Sequence, residues 1–436
     1  MIESPPQIDP IKSLTKLLAI HPTAINALLP VIEKANTSYQ YWSKFKYIDL
    51  PAIDGVTHPL AWGYLKWQRM VNGRRLLLPS LGTLQYYPTD ELQKILHDLD
   101  LRMGGTLGAN DLFEQPHRKR FILNALMEEA IASSQLEGAS TTRRVAKEML
   151  RTKRAPTNLS ERMIMNNYMA MLYVTETQLE ELTPAALLQL HRKATNDTLE
   201  NPSHEGAFRA GEVSVVDKIS GEVAHEAPPA ERLPELINDF CALANDSLDL
   251  PFIHPLAKAS ILHFLIGYIH PFEDGNGRTA RVVMYWYMLR KGYWLTEFLV
   301  ISKAIAKSRS AYDKAYLYTE HDELDVTYFV RYQLRAFQTA CSDLDVYIEK
   351  TVKKQRELYN QQIQLAINQR QAELLRRIQQ DNARVLTVAD VAEEFSITPQ
   401  TARTDLTDLV ERGLLQKIHA GRKHLFVSEA YPRLLL

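Results

Sequence analysis

"HPFEDGNGR", residues 270–278, follows directly on the apolar run "ILHFLIGYI". One histidine, two acids, two glycines, an asparagine and an arginine fall within nine positions. A lone Gly-Asn-Gly is ordinarily a turn, and a lone histidine beside apolar residues is ordinarily a core side chain. All of them together, at the start of a helix carrying Arg278 and Arg281, point to a site. Glycines there let backbone N–H groups approach a ligand, and the helix N-terminus adds the positive end of a dipole, which suits an anion. Arg278 and Arg281, three residues apart, share a helix face and can hold phosphate oxygens. Asp274 beside a phosphate is the natural Mg2+ ligand, because that ion takes few protein carboxylates. His270 can accept a hydroxyl proton as general base. The loop is equipped to bind a nucleoside triphosphate and activate an attacking hydroxyl.

The chain around it has 436 residues, room for two to four domains, with globular proportions of 45% hydrophobic and 24% charged residues. A formal charge of −1 provides no global field for nucleic acid or membrane, so any basic surface is local. Cys241 and Cys341 stand apart without a CxxC spacing, which excludes a disulfide framework or cysteine zinc site and suits a reducing compartment. "MIESPPQIDP" does not read as a signal peptide, and no apolar run reaches the roughly 20 residues of a membrane span. The expectation is a cytoplasmic protein without a membrane partner. His254 and His263 are spaced for core packing rather than a zinc site with His270, and "MIMNNYMAMLY" reads as core filler.

Four segments are expected: an N-terminal helical region at 1–105, a core at 106–345, a linker helix at 346–370 and a compact unit at 371–436. Pro22 and Pro30 break the first helical stretch, and the Gly-rich "LDLRMGGTLGAND", 99–111, marks a domain edge. Helical patterning runs from Pro116 to Lys153, then through "ERMIMNNYMAMLYVTETQ" and a helix started by Thr183-Pro184. "VSVVDKISGEVAH" reads as a β-hairpin around Ser220-Gly221. Three helices follow, the last ending at Gly292. A single long helix over 330–377 then bridges two domains.

"HPFEDGNGRTAR" matches the Fic-domain signature, His-Pro-Phe-x-(Asp/Glu)-Gly-Asn-Gly-Arg-x-x-Arg, at every fixed position, and the resemblance extends over roughly 116–345. It implies a mainly α fold, a helical core with a β-hairpin flap, and transfer of AMP from ATP to a Ser, Thr or Tyr hydroxyl of a target protein. It implies His270 as the base, Asp274 as the Mg2+ ligand, Gly275, Asn276 and Gly277 as a phosphate cradle, and Arg278 and Arg281 on the β- and γ-phosphates. Phe272 is a packing anchor, and Gly277 stands where a kinase-like branch has Lys. "SSQLEG", 133–138, matches the family's inhibitory pattern through Ser133, Glu137 and Gly138. The resemblance pairs Glu137 with Arg281, and an arginine engaged by a carboxylate is withheld from the γ-phosphate. In some relatives the same glutamate also supports AMP removal. The sequence leaves an oligomer open, on which the brake's effect would depend. The hairpin resembles the flap that docks the target by strand addition, with Val215, Val216, Asp217 and Lys218 nearest the nucleotide. Tyr312 matches one of two adenine-contacting tyrosines, and Asp313 replaces the second. Self-modification is also implied.

At the C-terminus, "TVADVAEEF", the turn "SITP", "PQTARTDLTDLVERG" and two short strands around Ala420-Gly421 resemble the winged helix-turn-helix of bacterial regulators. Gln400, Thr401, Arg403 and Thr404 would face a DNA major groove, with Lys417, His419, Arg422 and Lys423 on phosphates. Asp405, Asp408 and Glu411 on the same helix argue instead for protein docking. The alternative to an enzyme is a DNA-binding regulator whose core senses nucleotide.

Overall fold

The computed structural model describes residues 2–20, 23–104, 115–177, 181–216, 221–365, 367–380, 385–420 and 423–427. The chain divides into two compact units, Met1–Ser342 and Asp343–Leu436. Among the described residues, no helix is long and apolar enough to cross a membrane.

The first unit opens with α1 (Pro10–Ile20), α2 (Ala24–Thr37), the single turn α3 (Trp42–Phe45) and α4 (His58–Asn72). Pro30 does not break the second stretch as expected but lies inside α2, whose buried face of Ala24, Leu28, Ile32 and Ala35 carries the helix across it. Tertiary burial outweighs the one backbone hydrogen bond a proline removes. β1 (Arg74–Leu78) and β2 (Gly82–Tyr86) form an antiparallel hairpin that the patterning did not predict. Three consecutive leucines hide its alternation, although Leu76, Leu78, Leu84 and Tyr86 alone point inward. α5 (Asp90–Met103) follows, capped by Thr89, which accepts from the Leu92 N–H at 3.2 Å.

This region joins the rest of the unit through a buried polar cluster. Lys66 Nζ lies 2.9 Å from Asp322 Oδ1, Tyr328 donates to Asp322 Oδ2 at 2.9 Å, and Arg69 Nη1 donates to Tyr328 at 2.7 Å. Tyr39 donates to Asp325 Oδ2 at 2.6 Å.

The helical core contains α6 (Gln115–Leu136), α7 (Arg143–Thr152), α8 (Leu159–Glu176) and α9 (Pro184–Thr195). Thr183 caps α9 as expected, accepting from Ala186 N–H at 3.1 Å. The expected hairpin is present as β3 (Ser214–Val216) and β4 (Val223–Glu226), with an irregular register between Val215 and Val216. α10 (Leu233–Ala244) leads to α11 (Pro255–Ile269) and α12 (Asn276–Arg290), which pack on each other. Both are buried on nearly every side, the mark of a helix enclosed by others rather than laid on a surface. α13 (Ile301–Lys307), α14 (Arg309–His321) and α15 (Thr327–Leu365) follow.

α15 carries the boundary between the units. The single helix expected over 330–377 is in fact two, because α16 (Gln369–Gln380) starts anew. Asn368 caps it: its Oδ1 accepts from Gln371 N–H at 3.0 Å, and Gln371 Oε1 accepts from Asn368 N–H at 2.9 Å. The second unit continues with α17 (Val388–Phe395), started by a Thr387–Asp390 capping box, and α18 (Pro399–Glu411). β5 (Gln416–Ala420) and β6 (Lys423–Val427) pair as the wing around a core of Leu374, Ile378, Val391, Leu406 and Leu409.

Asp322→Ala takes from buried Lys66 the carboxylate that lies 2.9 Å from its Nζ. It should cost the first unit about 3–5 kcal/mol, read as a lower urea midpoint.

Candidate active site

α11 closes at Ile269 and α12 opens at Asn276, so carbonyls left unpaired by one helix and N–H groups left unpaired by the other border a single loop. His270 adopts the left-handed region, φ 49°, with its N–H on Ile266 O at 3.0 Å. Phe272 is fully buried and stacks on the His191 ring of α9, centroids 3.8 Å apart and planes 2° from parallel. His191 Nε2 donates to the Asp274 carbonyl at 2.9 Å, and its Nδ1 accepts from Gly206 N–H at 3.0 Å. A ring held between a carbonyl and an N–H is the neutral tautomer, and burial pulls its pKa down to about 4.

Asn276, expected to reach toward phosphate, turns its amide inward. Its Oδ1 accepts from Phe272 N–H at 3.0 Å and its Nδ2 donates to Phe272 O at 2.7 Å, which closes the loop. Gly275 has φ +83°, and a Cβ there would lie 2.6 Å from Thr195 Cγ2, so both conformation and space require glycine.

His270 Nδ1 lies 3.1 Å from Gly267 O. A carbonyl only accepts, so Nδ1 carries the proton and Nε2 is left as an acceptor. Burial lowers the His270 pKa from its ordinary value, His225 and Arg209 push the same way, and the Gly267 carbonyl opposes them.

Asp274 keeps its side chain 68% exposed, with Oδ1 accepting from Gly275 N–H at 2.6 Å and Oδ2 3.5 Å from Arg278 Nη2. Arg278 is buried, donates from Nη1 to Ala194 O at the end of α9 (2.9 Å), and leaves Nε without a partner among the described residues. Burial lowers its pKa.

Arg281, 2% exposed, donates from Nε to Ser133 Oγ at 2.8 Å, and from Nη2 to Ser133 O at 3.0 Å and Glu137 Oε1 at 2.7 Å. Burial pushes the Glu137 carboxyl up, but the Arg281 charge and hydrogen bond, helped by Arg278 and Arg309, bring it below its ordinary value. A Cβ on Gly277 would lie 2.2 Å from Glu137 Oε1, so the carboxylate rests on the first turn of α12, where unpaired N–H groups favour an anion. Gly138, at φ +101°, ends α6, with Ala139 N–H on Ser134 O at 3.0 Å, and so fixes where Glu137 points.

Val215 and Val216 lie on β3, opposite His225 and Val223, while Asp217 and Lys218 fall outside the described residues. Tyr312 lies on α14 with 7% exposure, its hydroxyl 2.9 Å from His263 Nε2 and its ring packed with Tyr316, Phe329 and Tyr332. Asp313 pairs with Arg309 at 2.9 Å. His254 caps α11 and bonds Asp100 at 2.8 Å, and burial pulls His263 down to about 3. Sequence reasoning missed His191, and it missed Arg209 and His225, which bond the backbone around His270. Among the described residues, no group of three His, Cys, Asp or Glu could hold a metal. One exposed carboxylate beside an anion site still fits Mg2+, which is held mostly by water and phosphate oxygens.

Residues 181–288 match the Fic/DOC family and residues 370–425 the DeoR-like helix-turn-helix domain. The "Protein adenylyltransferase Fic" of Nematostella vectensis is 27% identical over 242 residues, 53% of this chain and 51% of its own. The chain thus spans about half the length of that relative. A Fic family protein from Desulfovibrio desulfuricans G20 superimposes with TM-score 0.50 at 20% identity, over 78% of this chain and 95% of its own. Fic-1 from C. elegans gives 0.51 at 18%, over 79% and 93%. At such identities the likeness is one of fold.

Because the Glu137 pKa is lowered on folding, its pairing stabilises the protein above the ordinary carboxylate value of 4.5 and is lost as pH falls through the lowered one. Glu137→Gln should therefore melt earlier than the parent at neutral pH, by about 1–2 kcal/mol, with the gap closing in acid.

Proposed function

We propose that this chain, built on a Fic domain, transfers AMP from ATP to a Ser, Thr or Tyr hydroxyl of a target protein, itself included, and that Glu137 restrains it. The observation that carries this reading is a base-ready His270 beside a helix N-terminus whose anion position a carboxylate already fills. The phosphates would lie against the N–H groups of 275–277, with Arg278 and Arg281 on the β- and γ-phosphates. Asp274 would hold Mg2+, which supplies charge neutralisation on the α- and β-phosphates. His270 Nε2 takes the hydroxyl proton as that oxygen bonds to the α-phosphorus. The bond from the α-phosphorus to the bridging oxygen breaks, and pyrophosphate leaves. The hairpin docks the target backbone beside this point.

While Glu137 holds Arg281, the γ-phosphate lacks its cation and ATP enters with its α-phosphate out of line. In the Glu137→Gly variant, label from the α-position of ATP should move to protein and label from the γ-position should not. Adding His270→Ala should abolish the transfer. γ-Label on protein would mean a kinase, and activity without His270 would exclude this mechanism. Because burial lowers the His270 pKa, the acid limb of the rate profile should fall below the ordinary 6.5.

A second reading concerns the C-terminal unit and is supported by where its acids go. Asp405 is buried against Arg370 and Asn368 at 2.7 Å each, and Asp408 bonds Gln371 and Arg412. The exposed face of α18 then presents Gln400, Arg403 and Thr404, with Thr401 half-buried against Thr398, while Glu411 stays exposed at the far end of the helix. Lys417 is exposed on β5, while Arg422 and the side chains of His419 and Lys423 fall outside the described residues. We infer that this face binds duplex DNA. Gel shifts of the full chain on genomic fragments should weaken with salt, and Arg403→Ala should cost about 1–3 kcal/mol. Absence of binding at low salt would leave protein docking as its use.

A further inference from the structure

The last turn of α11 and the residues after it present a run of backbone carbonyls that helix geometry leaves without partners. Side chains from outside the signature take them. His225, on β4, sets Nε2 at 2.8 Å from the Tyr268 carbonyl and Nδ1 at 2.8 Å from Glu320 on α14. Arg209, 4% exposed, donates from Nε to His270 O at 2.8 Å and from Nη2 to Ile269 O at 3.4 Å. Its own backbone N–H reaches Pro271 O at 2.9 Å. Carbonyls 268 to 271 are thus all answered by these two residues.

The same guanidinium also donates from Nη1 to Gly211 O at 2.7 Å and from Nη2 to Pro228 O. Gly211 and Pro228 stand just outside the pair that closes the hairpin, Ala227 N–H to Val213 O at 3.1 Å. Arg209 therefore spans the base of the hairpin and the backbone of His270 at once. Both sides need such a hold. A two-stranded hairpin is marginal alone, and a non-glycine residue in the left-handed region costs roughly 1–2 kcal/mol. A planar fork of donors can span several carbonyls, whereas a lysine ammonium is a single point.

We propose that Arg209, with His225 as a second tie, is a positioning residue that locks the flap hairpin and His270 into one unit, so that a docked target backbone meets the base in register. The inference rests on the adenylyl-transfer reading above. Neither residue bonds Asp274, Arg281 or Glu137, so the phosphate side of nucleotide binding is separable from flap registration.

The test uses the full chain in the Glu137→Gly background. Arg209→Lys should slow self-labelling from α-labelled ATP about a hundredfold at saturating nucleotide. ATP affinity by calorimetry should fall far less than the rate, and amide hydrogen exchange should quicken in peptides covering both 213–227 and 267–272. An unchanged rate, a rate that falls only in step with ATP affinity, or exchange that quickens in one segment alone overturns the proposal. If Glu137→Gly itself transfers no label, the adenylyl-transfer reading fails, and the exchange comparison alone decides the lock. If circular dichroism shows Arg209→Lys unfolded at the assay temperature, His225→Gln takes the same comparison.

Discussion

A guanidinium with almost none of its surface in water must be met by oxygens, and among the described residues those that meet Arg281 come from α6 and the residue that follows it. Much of the site's order follows from that need. Ser133 and Glu137, one turn apart, both face Arg281, which fixes the rotation of α6 over α12. Gly138 stops the helix where Glu137 still points inward, and Gly277 leaves room for the carboxylate. An anion that takes Glu137's place would find the same cation and the same helix N-terminus. Under the proposed function, the contact that stabilises the resting fold would also restrain its chemistry.

The loop between α11 and α12 resolves two opposite electrostatic problems within a few residues. Carbonyls at the end of α11 are answered by donors from Arg209 and His225, and the Glu137 carboxylate lies against the positive start of α12. His270 lies between them in a strained conformation, its tautomer set by the Gly267 carbonyl. Phe272 stacked on His191 and the Asn276 amide folded onto Phe272 give the loop a rigid floor. The exposed Asp274 is then left facing solvent.

Local chemistry made much of this legible in the sequence. The signature, the Thr183 cap, the hairpin around residue 220 and the helix-turn-helix each follow from residues close together in the chain. The Glu137–Arg281 contact is 144 residues apart, and only a family resemblance made it visible. His191, Arg209 and His225 carried no local signal, because each acts on backbone groups tens of residues away. Asn276 was read as a ligand group since an exposed amide and a loop-closing amide look alike in sequence. Pro30 and the 74–86 hairpin were misread where burial, not propensity, decides the conformation. The break before α16 was missed because Asn368 and Gln371 fit an unbroken polar helix face until their reciprocal cap is seen.

The central claim is that the Glu137 carboxylate holds Arg281 away from productive nucleotide binding. Intact mass spectrometry of the parent and of Glu137→Gly, each incubated with ATP and Mg2+, measures it most directly. The variant should gain the mass of AMP much faster than the parent. Equal labelling of the two proteins would contradict it.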